Sequence, residues 1–343
     1  MYGTVCLRDD SYAARIESYW CNNANLRPSC IVQSHSVEEL SKAVAALAKA
    51  HQHFAVRAGG HTNWAGSNNI TNGVTIDLGF LDVTNYDDAT QVAHIGPGAK
   101  WKDVRLSPGR WKHFPHAALR LACDQVIAYE VFLANGKVIA ADARGEHTDL
   151  FRVLKGRGSN FGIVTRFSMQ TLPIGPIWGG LALYRLNFVP TGIKALVEFT
   201  DSAVPLEFPS RITWLLSRSP PCSARSWRCP KFLTNYKTTT LQELLTYSSL
   251  PPNYYNIWFT LTIKNDVSIL LKAAELHNEM AKELQEHITD QVFTSHFAFQ
   301  PGPRLYVEQS HANNITGHVL GLEQNTHDAI LIQAFVSVRT AEL

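Results

Sequence analysis

The most constraining feature of this sequence is a glycine-rich turn that leads into a strand and not into a helix. Residues 155–162 read KGRGSNFG, and residues 163–170 then alternate between apolar and polar side chains. Such alternation is typical of a half-buried strand. Because the glycine-rich turns of Rossmann folds and P-loops open a helix, the pattern argues against both. The turn could still contact a dinucleotide through backbone N–H groups, or be a structural corner.

A second pair of glycines, Gly59 and Gly60, follows a short predicted strand at residues 54–57. Adjacent glycines allow tight backbone turns in which successive N–H groups converge on an anion such as a diphosphate. Taken alone, this segment is better explained as a simple turn at a strand end that carries a surface histidine, His61.

The remaining local patterns predict an α+β fold. Ser36 and Glu39 form a capping-box pattern, and the apolar residues that follow share one face of a helix that ends near Ala50. Asn135-Gly136 is a strong hairpin signal, since both turn positions need positive φ. Strands are predicted in the first half at residues 54–57, 74–78, 91–95, 126–134, 137–140 and 163–170. This order is not a regular βαβ array.

The length of the chain and two closely spaced prolines predict two domains. A chain of 343 residues exceeds one ordinary core, and prolines at 173 and 176 mark a boundary. We expect an N-terminal extension at residues 1–21, a first domain at 22–172 and a second α+β domain at 173–343, its sheet mostly antiparallel. The second domain contains predicted strands at 181–186, 257–263 and 329–338 and a helix at 267–287.

The composition of the chain argues against several classes of binding partner. A net charge of +2, without blocks of like charge, argues against nucleic-acid binding, and no apolar run is long enough to span a membrane. The first ten residues lack a secretory signal, so the sequence as written predicts a cytoplasmic protein, with localisation open. The six cysteines have no metal-ligand spacing, and His113 and His116 could bind a metal but lack a carboxylate or a third ligand, so no metal is expected. Cys21 and Cys30 could form a disulfide or remain free thiols.

Four blocks of sequence together resemble one known family. They are FAVRAGGHTNWAGSNNITNGVTIDL (54–78), HIGPGAKWKDV (94–104), LACDQVIAYEVFLANGKVIAADA (121–143) and DLFRVLKGRGSNFGIVTRF (149–167). In this order they resemble the FAD-binding domain of fungal flavin oxidases related to berberine bridge enzyme, in the p-cresol methylhydroxylase/vanillyl-alcohol oxidase superfamily. The resemblance covers most of residues 22–172 and continues more weakly to residue 322 through QPGP (300–303) and HVLGL (318–322).

The resemblance implies FAD as the cofactor and assigns residues to it. His61 occupies the position at which many members attach the flavin ring through a histidyl bond. The residues implied around the pyrophosphate are Arg57, Ala58, Gly59, Gly60, His61 and Thr62. Those implied along the adenosine and pyrophosphate channel are Gly96, Pro97, Gly98, Asp124, Gln125, Val126, Gly158, Asn160, Gly162 and Ile163.

The resemblance also implies an activity. A small organic substrate, such as a secondary metabolite, would rest on the sheet of the second domain and pass a hydride to flavin N5, with molecular oxygen as the usual re-oxidant. The cofactor would supply the redox chemistry and the protein the orientation and electrostatics. No catalytic residue is assigned. The aromatic residues Tyr254, Tyr255 and Trp258 could line a substrate cleft or belong to the core.

Two departures from the family pattern support an alternative. Only residues 105–120 separate the second and third blocks, where relatives carry a longer stretch with another glycine-rich segment. The sequence also stops at Leu343, where relatives continue with a segment that returns to the flavin. The alternative is therefore a shortened, catalytically impaired relative that binds FAD weakly or not at all.

Overall fold

The computed structural model describes the chain in segments: residues 3–7, 9–101, 104, 112–113, 121–156, 158–173, 177–183, 186–202, 233–239, 243, 252–288, 293–302, 304–313, 317–324 and 326–340. The helices are α1 (Asp10–Glu17), α2 (Val37–Lys49), α3 (Thr148–Leu154), α4 (Val189–Asp201), α5 (Val267–His287) and α6 (Arg304–Asn313). The strands are β1 (Gly3–Cys6), β2 (Cys30–Gln33), β3 (Phe54–Arg57), β4 (Val74–Asp77), β5 (Thr84–Asp87), β6 (Val92–Ile95), β7 (Lys112–His113), β8 (Val126–Phe132), β9 (Val138–Asp142), β10 (Ile163–Gln170), β11 (Leu172–Pro173), β12 (Ile177–Leu183), β13 (Leu233–Thr239), β14 (Tyr255–Lys264), β15 (Thr294–Gly302) and β16 (Ala329–Val338).

The first sheet has the strand order β1-β2-β4-β3. Strand β1 is antiparallel to β2, whereas β4 runs parallel to both β2 and β3. The parallel strands β2 and β3 are connected by α2, as a parallel connection requires. Strand β1 and helix α1 both lie in the predicted N-terminal extension, and β1 forms one edge of the first sheet.

Helix α2 forms as its capping pattern predicts. Ser36 Oγ accepts the backbone N–H of Glu39 at 3.2 Å, while the Glu39 carboxylate accepts the N–H of His35, one residue earlier than in a capping box. Leu40 is fully buried on the inner face and packs with Ile76 and Leu78 of the first sheet.

The second sheet contains five antiparallel strands in the order β5-β6-β10-β8-β9. Its core is formed by residues such as Ala93, Val131 and Phe151, the last from α3. The hairpin between β8 and β9 turns at Asn135-Gly136, with Gly136 at φ +84°. The predicted hairpin is confirmed, but the expectation of positive φ at both turn positions is wrong, because only Gly136 has it.

The second lobe contains the antiparallel pair β12-β13 and the antiparallel sheet β14-β16-β15. Helices α4 and α5 cover one face of the three-stranded sheet, where Ile193, Val197, Leu270 and Ile330 are buried together. The predicted α+β class with mostly antiparallel sheets is confirmed. Across the ranges given above, no helix combines the length and the apolar character needed to cross a membrane.

The two lobes are joined by a short parallel β-bridge between Cys21 and Tyr254. Asn22 N–H donates to Tyr254 O at 2.9 Å. The side chain of Asn23 then bonds both backbone groups of Asn256, accepting its N–H at 2.8 Å and donating to its carbonyl at 3.2 Å. Because backbone and amide groups are both satisfied, this junction fixes the start of β14 against the segment that follows α1.

We predict that Gly162→Ala destabilises the protein far more than Gly158→Ala. Gly162 has φ +140°, and an added Cβ would lie 2.6 Å from Val131 Cγ1. Strain and overpacking together should lower the free energy of unfolding by about 2–5 kcal/mol. Gly158 has φ +62° and open space around an added Cβ, so its substitution should cost about 1–2 kcal/mol. Urea unfolding of both variants checks this, and equal losses would contradict a packing role for Gly162.

Candidate cofactor and substrate site

The loop that follows β3 presents a row of unused backbone donors. Within the described part of the chain, no hydrogen bond is made by the N–H groups of Ala58, Gly59, Gly60, His61 or Thr62. Gly60 has φ +72°, and nothing lies within 4 Å of a Cβ added at Gly59. Successive free N–H groups around a positive-φ glycine form a cavity suited to an anion. The loop therefore fits a diphosphate.

A buried guanidinium lies directly against this loop. Arg57 is 2% exposed, and a Cβ on Gly60 would lie 2.9 Å from Arg57 Nη2. The guanidinium donates to Arg15 O and to Ser18 Oγ, each at 2.8 Å, and lies 3.8 Å from the centre of the Tyr19 ring. Its Nε is buried without a hydrogen-bond partner. Only glycine at position 60 allows the backbone to approach this side chain so closely.

The charge balance beneath the loop is positive. Arg15 donates from Nε and Nη2 to the two carboxylate oxygens of fully buried Asp77, at 2.5 and 2.6 Å. This bidentate pair leaves the charge of Arg57 without a carboxylate of its own. Burial lowers the pKa of Arg57 below its ordinary value, which shows that the charged form is costly there. A bound anion would relieve that cost.

Burial also affects Tyr19, which lies beneath Arg57. It raises the pKa of Tyr19 to about 12, although the neighbouring Arg57 acts in the opposite direction. The phenol therefore stays neutral at physiological pH and contributes its ring face, with its O–H donated to Asn68 O at 3.0 Å. Tyr19 consequently adds no negative charge that would oppose an anion at the loop.

The turn at Gly96, Pro97 and Gly98 lies against the residues that follow β4. Gly98 N–H donates to Leu81 O at 3.0 Å, and a Cβ on Gly98 would lie 2.5 Å from Leu78 O. Leu78 N–H in turn donates to Arg57 O at 2.8 Å. This chain of backbone contacts brings the first two sequence blocks together at the ends of β3 and β4.

The other two blocks meet around Lys155. The segment Asp124, Gln125 and Val126 leads into β8, and Asp124 is close enough to oppose the lowering of the Lys155 pKa that burial causes. Val319 N–H donates to Lys155 O, so the 318–322 segment also contacts this turn. Of the predicted channel residues beyond the turn, Gly158 and Asn160 are exposed, Gly162 is half-buried, and Ile163 packs against the cluster of Ile76, Leu78 and Phe132.

Cys123 lies beside Asp124 but is not set up as a nucleophile. Burial, followed by the charge of Asp124, raises the pKa of the Cys123 thiol to about 11. The thiol therefore remains protonated near neutral pH, where a reactive cysteine needs its thiolate.

His61 lies where the lobes meet, among aromatic rings that the sequence did not bring together. Its imidazole stacks on Trp20, with ring centres 4.7 Å apart and an interplanar angle of 4°. Trp20 meets Trp258 of β14 edge to face at 6.0 Å. Across the sheet, Trp258 stacks on Phe335 at 4.8 Å, and Phe335 stacks on His296 at 4.4 Å.

We call Trp258, Phe335 and His296 the aromatic row. The three residues are direct partners in the ladders of β14, β16 and β15, on the sheet face opposite α4 and α5. Trp258 Nε1 is buried and has no hydrogen-bond acceptor. The sequence analysis considered Trp258 as a residue of a substrate cleft, but it did not predict a role for Trp20, Phe335 or His296. The one signal in the sequence is that Trp258, Thr260 and Thr262 are spaced two residues apart, which places them on the same face of β14.

Comparison with known proteins shows that this is a flavin-binding protein. The FAD binding domain family matches residues 28–107. The FAD-dependent monooxygenase sdcF of Emericella nidulans is 31% identical over 360 residues, covering 92% of this chain and 74% of its own. The FAD-dependent monooxygenase drtC of Aspergillus calidoustus is 28% identical over 371 residues, covering 94% and 70%.

Solved structures show the same fold. The carbohydrate oxidase from Microdochium nivale superposes with a TM-score of 0.71 at 19% identity, covering 99% of this chain and 81% of its own. Berberine bridge enzyme from Eschscholzia californica gives a TM-score of 0.68 at 14% identity, covering 99% and 78%. The chain belongs to the family of FAD-linked oxidoreductases that includes sdcF, and it has the fold of berberine bridge enzyme and the carbohydrate oxidase. Its cofactor is FAD.

The alignment with sdcF contains insertions relative to this chain. The 360 positions aligned with sdcF exceed the 343 residues of this chain, so that relative carries residues that this chain lacks. The FAD binding domain match ends at residue 107, inside the short stretch at 105–120. Most of that stretch, and with it His116, falls outside the described residues. Within the described ranges, no three metal-ligating side chains cluster.

We predict that Asp77→Asn destabilises the protein by about 3–5 kcal/mol, because it leaves two neighbouring guanidinium groups without a carboxylate. The matched control is Glu130→Gln, which weakens the more exposed pair that Glu130 forms with Arg166 at 2.9 Å. That change should cost about 1 kcal/mol or less. Denaturant unfolding monitored by tryptophan fluorescence measures both. A similar loss of unfolding free energy in the two variants would contradict a larger stabilising role for the Asp77–Arg15 ion pair.

Proposed function

We propose that this chain oxidises a small organic molecule, such as a secondary metabolite, at the lobe junction, with its FAD attached to His61 and molecular oxygen as the final acceptor. FAD, when bound, supplies the acceptor for a hydride from the substrate. The observation that carries the proposal is the position of His61. His61 belongs to the loop at residues 58–62, and Trp20 links it to the aromatic row of the other lobe.

The protein's own groups have separate roles in this proposal. The N–H groups of residues 58–62 bind the diphosphate, and Arg57 provides positive charge beneath them. The backbone N–H of Trp20 donates to Gly60 O at 3.1 Å, and the Trp20 ring stacks on the His61 ring. Trp20 therefore fixes both the loop and the imidazole. An imidazole that is already oriented loses little conformational freedom when it forms a bond.

We predict that flavin stays with the protein after acid precipitation and that His61→Ala abolishes this retention. His94 provides a matched control, because it lies on the same tryptic peptide, residues 58–100. Its Nδ1 is 2.9 Å from Ser168 Oγ within the second sheet, remote from the loop. His94→Asn should therefore keep the attached flavin. Mass spectrometry of the peptide is the measurement, and an unmodified peptide from yellow protein would refute attachment.

The aromatic row fits a planar substrate that carries an oxygen atom. Trp258, Phe335 and His296 offer ring surfaces, and the indole N–H of Trp258 needs an acceptor. A buried donor without a partner costs free energy, which a substrate carbonyl, hydroxyl or ether oxygen would recover. The row thus favours substrates that combine an apolar ring with a polar substituent.

We predict that Trp258→Phe raises the KM of the substrate about 10-fold with little change in kcat, because it removes one hydrogen bond and keeps the ring stack. Phe259→Leu is the control, since Phe259 is half-exposed on the opposite face of the same strand. Steady-state kinetics on both variants separates the effects. A fall in kcat alone for Trp258→Phe, or an equal change for Phe259→Leu, would contradict the assignment.

One experiment distinguishes the active oxidoreductase from an impaired relative. The 343-residue chain is purified, its flavin content is read from the absorption spectrum, and it is mixed without oxygen with phenols, benzylic alcohols and reducing sugars. We expect bound flavin that is bleached by at least one phenol or benzylic alcohol and recovers its colour on admission of oxygen. Colourless protein would support the impaired relative, and bleaching by sugars alone would contradict the role of the aromatic row.

A further inference from the structure

We propose that Cys6 and Cys30 are a disulfide-forming pair that fastens the N-terminal strand to the FAD-binding lobe. The two residues are direct partners in the antiparallel ladder of β1 and β2. Both are free thiols in this structure, Cys6 exposed and Cys30 half-buried. This proposal does not depend on the activity or on the attachment of flavin.

The hydrogen bonds around Cys6 determine which kind of ladder pair this is. The Cys6 N–H donates to the Asp9 carboxylate at 2.5 Å, and the Cys6 carbonyl accepts the Asp9 N–H at 2.9 Å. Since both backbone groups of Cys6 are engaged with Asp9, Cys6 and Cys30 form a non-hydrogen-bonded pair. Such pairs have a Cα separation of about 4.5 Å and the closest side chains of the ladder. A disulfide needs about 4.4–6.8 Å between Cα atoms, so it fits without backbone movement.

The thiols already influence each other. Burial raises the pKa of the Cys30 thiol, and the neighbouring Cys6 raises it further by charge and by a hydrogen bond. Cys21, the other partner considered for Cys30, is fully buried, and its Sγ donates to Asn23 Oδ1 at 2.9 Å. The structure therefore gives Cys30 a different neighbour from the one suggested by sequence spacing.

The covalent link would enclose the elements that support the diphosphate loop. Between Cys6 and Cys30 lie Arg15, which pairs with Asp77, and Trp20, which stacks on His61. Closing this segment removes conformations of the unfolded chain in which α1 and Trp20 are detached from the lobe. Oxidation would thus stabilise the contacts on which the loop depends.

The oxidant is a low-molecular-weight disulfide, and the chemistry balances in two exchanges. The thiolate of exposed Cys6 attacks one sulfur of oxidised glutathione and releases one glutathione thiolate, which takes up the proton lost by Cys6. The Cys30 thiolate then attacks the Cys6 sulfur of the mixed disulfide and releases the second glutathione, which takes up the proton from Cys30. Both protein thiols are oxidised, and the glutathione disulfide is reduced to two thiols.

The test is incubation of the full chain with oxidised or reduced glutathione, followed by non-reducing peptide mapping and thermal unfolding. The wild-type chain and Cys21→Ser should both form a Cys6–Cys30 link, whereas Cys6→Ser should not form it. Oxidised wild-type protein should melt about 5 °C higher than the reduced form, with no such rise for Cys6→Ser.

Several results would overturn the proposal. One is a link from Cys30 to Cys21. Another is glutathione retained on Cys6 without an intramolecular link. A third is a Cys6–Cys30 link that leaves the melting temperature unchanged, since it would show that the bond does not fasten the segment. Cys6 is exposed, so its replacement by serine is not expected to prevent folding, and Cys21→Ser controls for the general loss of a thiol.

Discussion

The structure of the cofactor lobe depends on a buried guanidinium that has no carboxylate of its own. Arg57 is held by the carbonyl of Arg15, the hydroxyl of Ser18 and the ring of Tyr19, and it presses against Gly60. Asp77 compensates Arg15 instead. A fold that retains such a charge beneath a loop of free N–H groups is prepared for an anionic ligand, which is consistent with the FAD family to which the chain belongs.

The lobe junction holds aromatic residues of the second lobe next to the loop that carries His61. A β-bridge at Cys21 and an amide network at Asn23 hold the start of β14. Trp258, two residues after Asn256 in β14, therefore lies next to Trp20, which in turn covers His61. Because these contacts involve backbone groups and rigid rings, the distance between His61 and the aromatic row is set by the fold and not by flexible side chains.

Much of the secondary structure could be predicted because its signals are local. The structure confirms the predicted bounds of one helix, at 267–287, and of two strands, at 163–170 and 329–338. The helix and the first strand each have a clear hydrophobic period, and the second strand is strongly apolar. Strands β1, β2, β5, β13 and β15 and helices α1, α4 and α6 were not predicted. Strands β1 and β5, for example, form on the edge of a sheet, where a neighbouring strand provides their hydrogen-bond partners.

The sequence by itself determined the α+β class, the glycine turns and the resemblance that points to FAD, because motifs and periodicity are properties of short segments. Only the tertiary structure decided that Arg15 pairs with Asp77, that Cys6 faces Cys30, and that Trp20 connects His61 to Trp258. The members of these sets are separated by tens or hundreds of residues. Strand register and lobe docking bring them together, and neither leaves a pattern within any single segment.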